Sequence, residues 1–212
     1  MYLVVRRGAF EGLETGCVLA GGAAVASVRR FGADPERGEA VNAWRRRPGK
    51  VTLRARGGQW DEVLRTEDFA YAGDLGGASV LALPPMRRSQ RSELLAKTLQ
   101  AFASDLEPLA EEKDVQPVPG EITYIVNPDI TMSTGKTMAQ VAHAATIASY
   151  TGRVEPWVEQ GCPGRAVTTT KKAFRELCTS DDARLVAKVE DAGLTEVPPG
   201  TITVLALPPA AP

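Results

Sequence analysis

Val80-Leu81-Ala82-Leu83-Pro84-Pro85 returns residue for residue as Val204-Leu205-Ala206-Leu207-Pro208-Pro209, and each copy follows an Ala-Gly pair, Ala72-Gly73 and Ala192-Gly193. A repeat governs every later assignment, because both copies are then expected to fold alike. Upstream, Pro48-Gly49-Lys50-Val51 stands opposite Pro163-Gly164-Arg165-Ala166, and Trp44 opposite Trp157. Thr15-Gly16 matches Thr134-Gly135, and Tyr2-Leu3-Val4-Val5 matches Thr123-Tyr124-Ile125-Val126. The common order predicts two homologous halves, residues 1–115 and 120–212 of a 212-residue chain.

Between the halves, Leu94, Leu95, Leu99, Phe102, Leu106 and Leu109 recur at spacings of three, four and seven, which predicts an amphipathic helix over 89–110. The charged run Glu111-Glu112-Lys113-Asp114 and then Pro117-Val118-Pro119-Gly120 read as a linker. In the second half, Ile122 to Asn127 reads as a buried strand stopped by Pro128, followed by a helix from Thr134 or Gly135 to Tyr150. A short helical stretch is expected around Trp157. Strands at Arg165–Thr170, Arg184–Val189 and Thr201–Leu207 alternate with a helix at Lys171–Cys178. That alternation predicts an α/β fold: two tandem copies of a small sheet flanked by helices.

Composition removes several function classes. Hydrophobic residues make up 43% of the chain and charged residues 24%, as expected of a globular protein rather than a disordered one. No stretch approaches the roughly 20 apolar residues of a membrane helix, so a soluble, cytoplasmic protein without membrane partners is expected. Cys17, Cys162 and Cys178 are far apart, and His143 is the one histidine, so neither a zinc site nor a disulfide framework is expected. The net charge of −1 argues against a protein that coats nucleic acid, yet leaves room for a local basic patch.

At 100° per residue, Lys136, Gln140 and His143 fall on one face of the Gly135 helix, with Met138, Val141, Ala142, Ala145 and Ala148 opposite. A cation in the first turn, where free amides and the dipole favour an anion, suits a phosphate or an oxyanion. From periodicity alone the same residues also read as the solvated face of an amphipathic helix. Gly135-Lys136-Thr137 fails as a phosphate loop, because Ile130 stands where that motif needs glycine. Asp191 follows a strand at its carboxyl end, where ligands of open α/β sheets gather, so it is placed to meet Lys136; a turn-capping role fits it as well.

These are the residues that carry a family resemblance. Met132-Ser133-Thr134-Gly135-Lys136-Thr137-Met138-Ala139-Gln140-Val141-Ala142-His143-Ala144-Ala145, then Asp191-Ala192-Gly193-Leu194-Thr195-Glu196-Val197-Pro198-Pro199-Gly200-Thr201 and Thr203-Val204-Leu205, resemble the type 2 peptidyl-tRNA hydrolases over 121–209. The resemblance implies a three-layer α/β unit with a mixed four-stranded sheet. It also implies frequent dimerisation and cofactor-free, metal-independent hydrolysis of the ester in peptidyl-tRNA. By motif it implies Lys136, Gln140, His143, Asp191 and Thr195 as catalytic residues, with Gly135 beside the substrate, and tRNA as partner. Two copies in one chain then predict an intramolecular pseudo-dimer, as a monomer or a homodimer.

The pattern departs from the family at Leu194, where arginine is expected, at Glu196, where glutamine is expected, and at Thr168-Thr169-Thr170. The second half carries eight basic and ten acidic residues, which does not favour a grip on phosphates. The first half clusters Arg45-Arg46-Arg47 with Lys50, Arg54 and Arg56, and Arg87-Arg88 with Arg91, so Arg45, Arg46 and Arg47 are expected tRNA contacts unless the cluster is only a solvated face. Opposite Lys136, Gln140, His143 and Asp191, the first half holds Cys17, Gly21, Ala24 and Tyr71, and is expected to be catalytically inactive. The competing expectation is a non-catalytic RNA- or protein-binding protein of the same fold.

Overall fold

A computed structural model describes residues 1–73, 77, 79–179 and 184–210. The chain runs β1 (Tyr2–Arg6), α1 (Leu13–Gly32), α2 (Gly38–Arg46), β2 (Val51–Ala55), α3 (Gly57–Thr66), β3 (Ala70–Tyr71), β4 (Val80–Ala82) and β5 (Gln100–Ala101). It continues through β6 (Glu111–Glu112), β7 (Ile122–Val126), α4 (Thr134–Ser149), α5 (Glu155–Glu159), β8 (Gly164–Thr169), α6 (Lys171–Thr179), β9 (Ala187–Asp191) and β10 (Thr201–Leu207).

Two mixed five-stranded sheets result, ordered β3-β4-β1-β2-β5 and β6-β8-β7-β10-β9. In the first, β1 pairs parallel with β2 and antiparallel with β4, which pairs antiparallel with β3. In the second, β7 pairs parallel with β8 and antiparallel with β10, which pairs antiparallel with β9. The four-strand pattern is the same in both sheets. Each gains a fifth, two-residue strand from the connecting segment: β5 on β2 and β6 on β8.

Period-2 alternation explains how one strand serves two layers. Leu3 and Val5 face one core and Val4 the other; Tyr124 and Val126 face the first, Ile125 a third. Helices α1 and α4 lie together between the sheets, where Ala20, Ala23, Ala24, Met138, Val141, Ala142 and Ala145 are fully enclosed. Small residues allow this approach: a Cβ on Gly21 would stand 3.2 Å from the Ala145 Cβ. Outside, α3 and Leu94–Leu95 cover the first sheet, and Phe174 of α6 covers the second.

The expected helix over 89–110 does not form. Arg88–Gln90 makes one 3-10 turn, Leu94–Thr98 one wide π-type turn, and β5 follows. The apolar residues have two destinations rather than one: Leu94, Leu95 and Leu99 enter the core under the first sheet, whereas Phe102, Leu106 and Leu109 join the core shared by both halves. A straight helix cannot deliver one stripe to two cores. Glu111–Glu112, read as linker, instead pairs with Thr168–Thr169 at a sheet edge. Strand β9 begins later than the expected Arg184 and ends on Asp191, which pairs with Thr201 rather than following the strand. Among the described residues no helix is long and apolar enough to cross a membrane.

Candidate functional site

Helix α4 begins with Ser133, whose side chain accepts from the Lys136 amide at 3.3 Å, an N-cap that leaves Lys136 in the first turn. Glu196 then accepts from both the Ser133 amide and its hydroxyl, each at 2.7 Å. The β9–β10 loop is thereby pinned to the helix start, and a carboxylate occupies the favourable end of the dipole. The open anion seat expected from the sequence is therefore filled from within the chain. Glu196 takes it, and Lys136 offers its side chain instead.

That side chain lies between the helix and the second sheet. Lys136 Nζ donates to Asp191 Oδ2 at 2.5 Å and to Thr195 Oγ1 at 2.9 Å. Gln140 Nε2 donates to the same Asp191 oxygen at 2.6 Å, and Thr203 Oγ1 of β10 holds the Gln140 carbonyl oxygen at 3.0 Å. The Gly193 amide donates to Asp191 Oδ1 at 2.8 Å. Burial opposes ionisation of Asp191, but Lys136, the Gly193 amide and Gln140 outweigh it and hold the carboxyl below the usual range. The face is not a solvated one: Gln140 is 7% exposed, and the Lys136 and Asp191 side chains 12% and 9%. Thr195 remains exposed, so the cluster opens at the loop.

His143 lies one turn beyond Gln140. Burial, and then the nearby Lys50 ammonium, push its pKa down to about 3, with Asp191 opposing. The imidazole is neutral across the physiological range. Lys50 belongs to the first half: its ammonium reaches Thr146 Oγ1 at 3.3 Å and lies 4.4 Å from the Trp44 ring, and burial lowers its pKa well below the ordinary value. No carboxylate pairs with it among the described residues. Sequence reading placed Lys50 in a basic cluster and missed its position beside His143, because residues 50 and 143 meet only through the α2–β2 connection and α4.

Other expected site residues lie elsewhere. Gly135 is buried against the first half, where a Cβ would stand 2.4 Å from the Phe102 carbonyl oxygen, and its own carbonyl accepts from Thr52 Oγ1 at 2.8 Å. The arginines Arg45, Arg46 and Arg47 end α2 at the far end of α4, where the Arg45 guanidinium sits 3.6 Å from the Tyr150 ring. Leu194, at the family's arginine position, is 87% exposed on the loop beside Lys136. In the first half, Cys17 and Ala24 are fully buried in the shared core and Gly21 packs on Ala145, so polar groups there would be desolvated.

A family model, peptidyl-tRNA hydrolase PTH2, matches residues 121–212. A peptidyl-tRNA hydrolase of Thermococcus sibiricus is 36% identical over 96 residues, covering 40% of this chain and 80% of that protein. The chain belongs to the peptidyl-tRNA hydrolase PTH2 family. A Staphylothermus marinus protein of the same name is 37% identical over 95 residues, with 40% of this chain and 78% of that protein covered. A Saccharolobus islandicus one is 35% identical over 104 residues, with 42% and 86% covered. The PTH2 segment contains Lys136, Gln140, His143, Asp191 and Thr195 and leaves Lys50 outside it.

Proposed function

We propose that the chain hydrolyses the ester of peptidyl-tRNA, releasing an N-substituted amino acid or peptide and free tRNA. Membership of the PTH2 family supports the reaction, and the observation that carries the site is the joint hold of Lys136, Gln140 and the Gly193 amide on Asp191. Water attacks the ester carbonyl as Asp191 takes its proton, and the Lys136 ammonium, with the Thr195 hydroxyl beside it, stabilises the developing oxyanion. Collapse of the tetrahedral intermediate breaks the bond to the ribose oxygen, which takes the proton back from Asp191. Gln140, held by Thr203, keeps the carboxylate in place; neutral His143 offers a further hydrogen-bonding group to the bound ester. These steps use side chains and water alone.

The first half we assign as a degenerate, non-catalytic copy, and the pair as an intramolecular counterpart of a dimer of single-copy relatives. The common order of four strands in both sheets supports this. Arg45, Arg46 and Arg47 are assigned to tRNA phosphates, complementing an acidic second half. A soluble, cytoplasmic protein fits such a substrate.

The test is release of N-acetylaminoacyl groups from tRNA by the full chain, compared with Lys136→Ala and Asp191→Ala. Loss of about 10²- to 10³-fold in kcat is expected for each. Equal rates in all three would remove the assigned roles, and no release by the unaltered chain would favour a protein that binds RNA or another partner without catalysis.

A further inference from the structure

A cavity of about 570 Å³ opens in the first half, away from Lys136 and Asp191. Leu53, Leu95 and Leu99 of the outer core form its floor, and Trp44, Arg47, Arg88 and Arg91 line it, with no acidic residue in the lining among the described residues. None of the three guanidinium groups pairs with a carboxylate among the described residues. The Arg91 Nε donates to the Arg88 carbonyl at 2.9 Å, which sets these two side by side. The Trp44 indole is fixed by its Nε1 donating to the Gly49 carbonyl at 2.8 Å.

We infer that this cavity binds an unpaired nucleotide of the RNA substrate, a phosphate on Arg88 and Arg91 and a base against Trp44. Three guanidinium groups without a counter-ion call for a multivalent anion, and their planar fork matches phosphate oxygens. A half-buried tryptophan lining the same cavity as an aliphatic floor suits a flat base. The volume falls in the range of small-ligand sites and exceeds what a lone phosphate needs. An acidic peptide would satisfy the charge but leave the indole and the apolar floor unused.

The cavity connects to the α4 cluster through one residue. The Trp44 ring touches the Lys50 ammonium, which reaches Thr146 and lies near His143. From Lys136 to Thr146 the helix axis spans about 15 Å. The inference rests on the hydrolase reading for its choice of RNA.

The test uses the full chain and an Arg88→Gln, Arg91→Gln double variant, with uncharged tRNA binding measured across a salt series. The Kd is expected to rise at least tenfold and the salt slope to fall by about 1 to 2. On N-acetylaminoacyl-tRNA relative to N-acetylaminoacyl-adenosine, which lacks the distal nucleotides, the ratio of kcat/KM is expected to drop about tenfold. Trp44 is also the less buried of the chain's three tryptophans, Trp60 and Trp157 being enclosed, so tRNA should quench fluorescence that Trp44→Leu removes. Unchanged Kd and slope, or displacement of tRNA by polyglutamate at equal charge, would overturn the inference. If the unaltered chain hydrolyses neither ester while the double variant still loses tRNA, the hydrolase reading fails and the cavity assignment stands.

Discussion

Lys136 Nζ and Asp191 Oδ2 lie 2.5 Å apart, joined from a helix start and a strand end that are 55 residues apart in the chain. The contact is charge-assisted, mostly shielded from solvent, and shared with Gln140. Removing Lys136 leaves a desolvated carboxylate, so Lys136→Ala should also raise the Asp191 pKa toward or above its ordinary value. Asp191→Asn keeps the shape but not the proton acceptor. It is expected to lower kcat with little change in KM, measured on N-acetylaminoacyl-tRNA. A change confined to KM would show that Asp191 only shapes the binding surface.

As the sole histidine, His143 gives an unambiguous imidazole signal by NMR. Its resonance should titrate near pH 3 rather than 6.5, and Lys50→Met should move the midpoint upward. Because the folded-state pKa is depressed, the contribution to stability is complete above the unfolded value of 6.5 and is lost as pH falls toward about 3. The unfolding free energy from urea titrations is therefore expected to fall between pH 6.5 and 3, by at most about 1.4 kcal/mol per pH unit from this group, and to fall less steeply in His143→Gln. The profile of kcat/KM should show no inflection near 6.5.

Gly135 is a packing residue between the halves. Gly135→Ala would drive a Cβ to 2.4 Å from the Phe102 carbonyl oxygen, a backbone atom that cannot swing aside. A destabilisation of about 1–3 kcal/mol is expected by urea denaturation. Gly58→Ala, where nothing lies within 4 Å of the added Cβ, should be neutral or stabilising. Equal midpoints for the two variants would show that the α4 start can shift away from Phe102.

Leu194 places an exposed apolar side chain on the loop whose Thr195 contacts the Lys136–Asp191 pair. Leu194→Arg adds one positive charge near Thr195 and should lower KM for N-acetylaminoacyl-tRNA severalfold while steepening the salt slope by roughly one. An unchanged KM would mean that tRNA passes the loop at a distance.

Much of this architecture was legible in the residues. The α4 and β10 limits follow from capping, periodicity and β-branched runs, and the meeting of Lys136, Gln140 and Asp191 follows from helical spacing and from the strand end that carries Asp191. The segment 89–110 misled, because leucines at helical spacing also suit a chain that feeds two cores from a ladder of short turns. Helical periodicity states which residues are apolar. It does not state which of two competing surfaces each will meet.

The split between levels follows the range of the forces. Local interactions, acting over a few residues, determined the helix start at Ser133, the turn at Gly193 and the polar face carrying Lys136, Gln140 and His143. Long-range packing decided the rest: that Glu196 fills the helix terminus, that Asp191 is drawn to Lys136, and that Lys50 of the first half stands beside His143 of the second. Those contacts exist because α1 and α4 bury their small residues against each other between two sheets. No nearby residue encodes that arrangement.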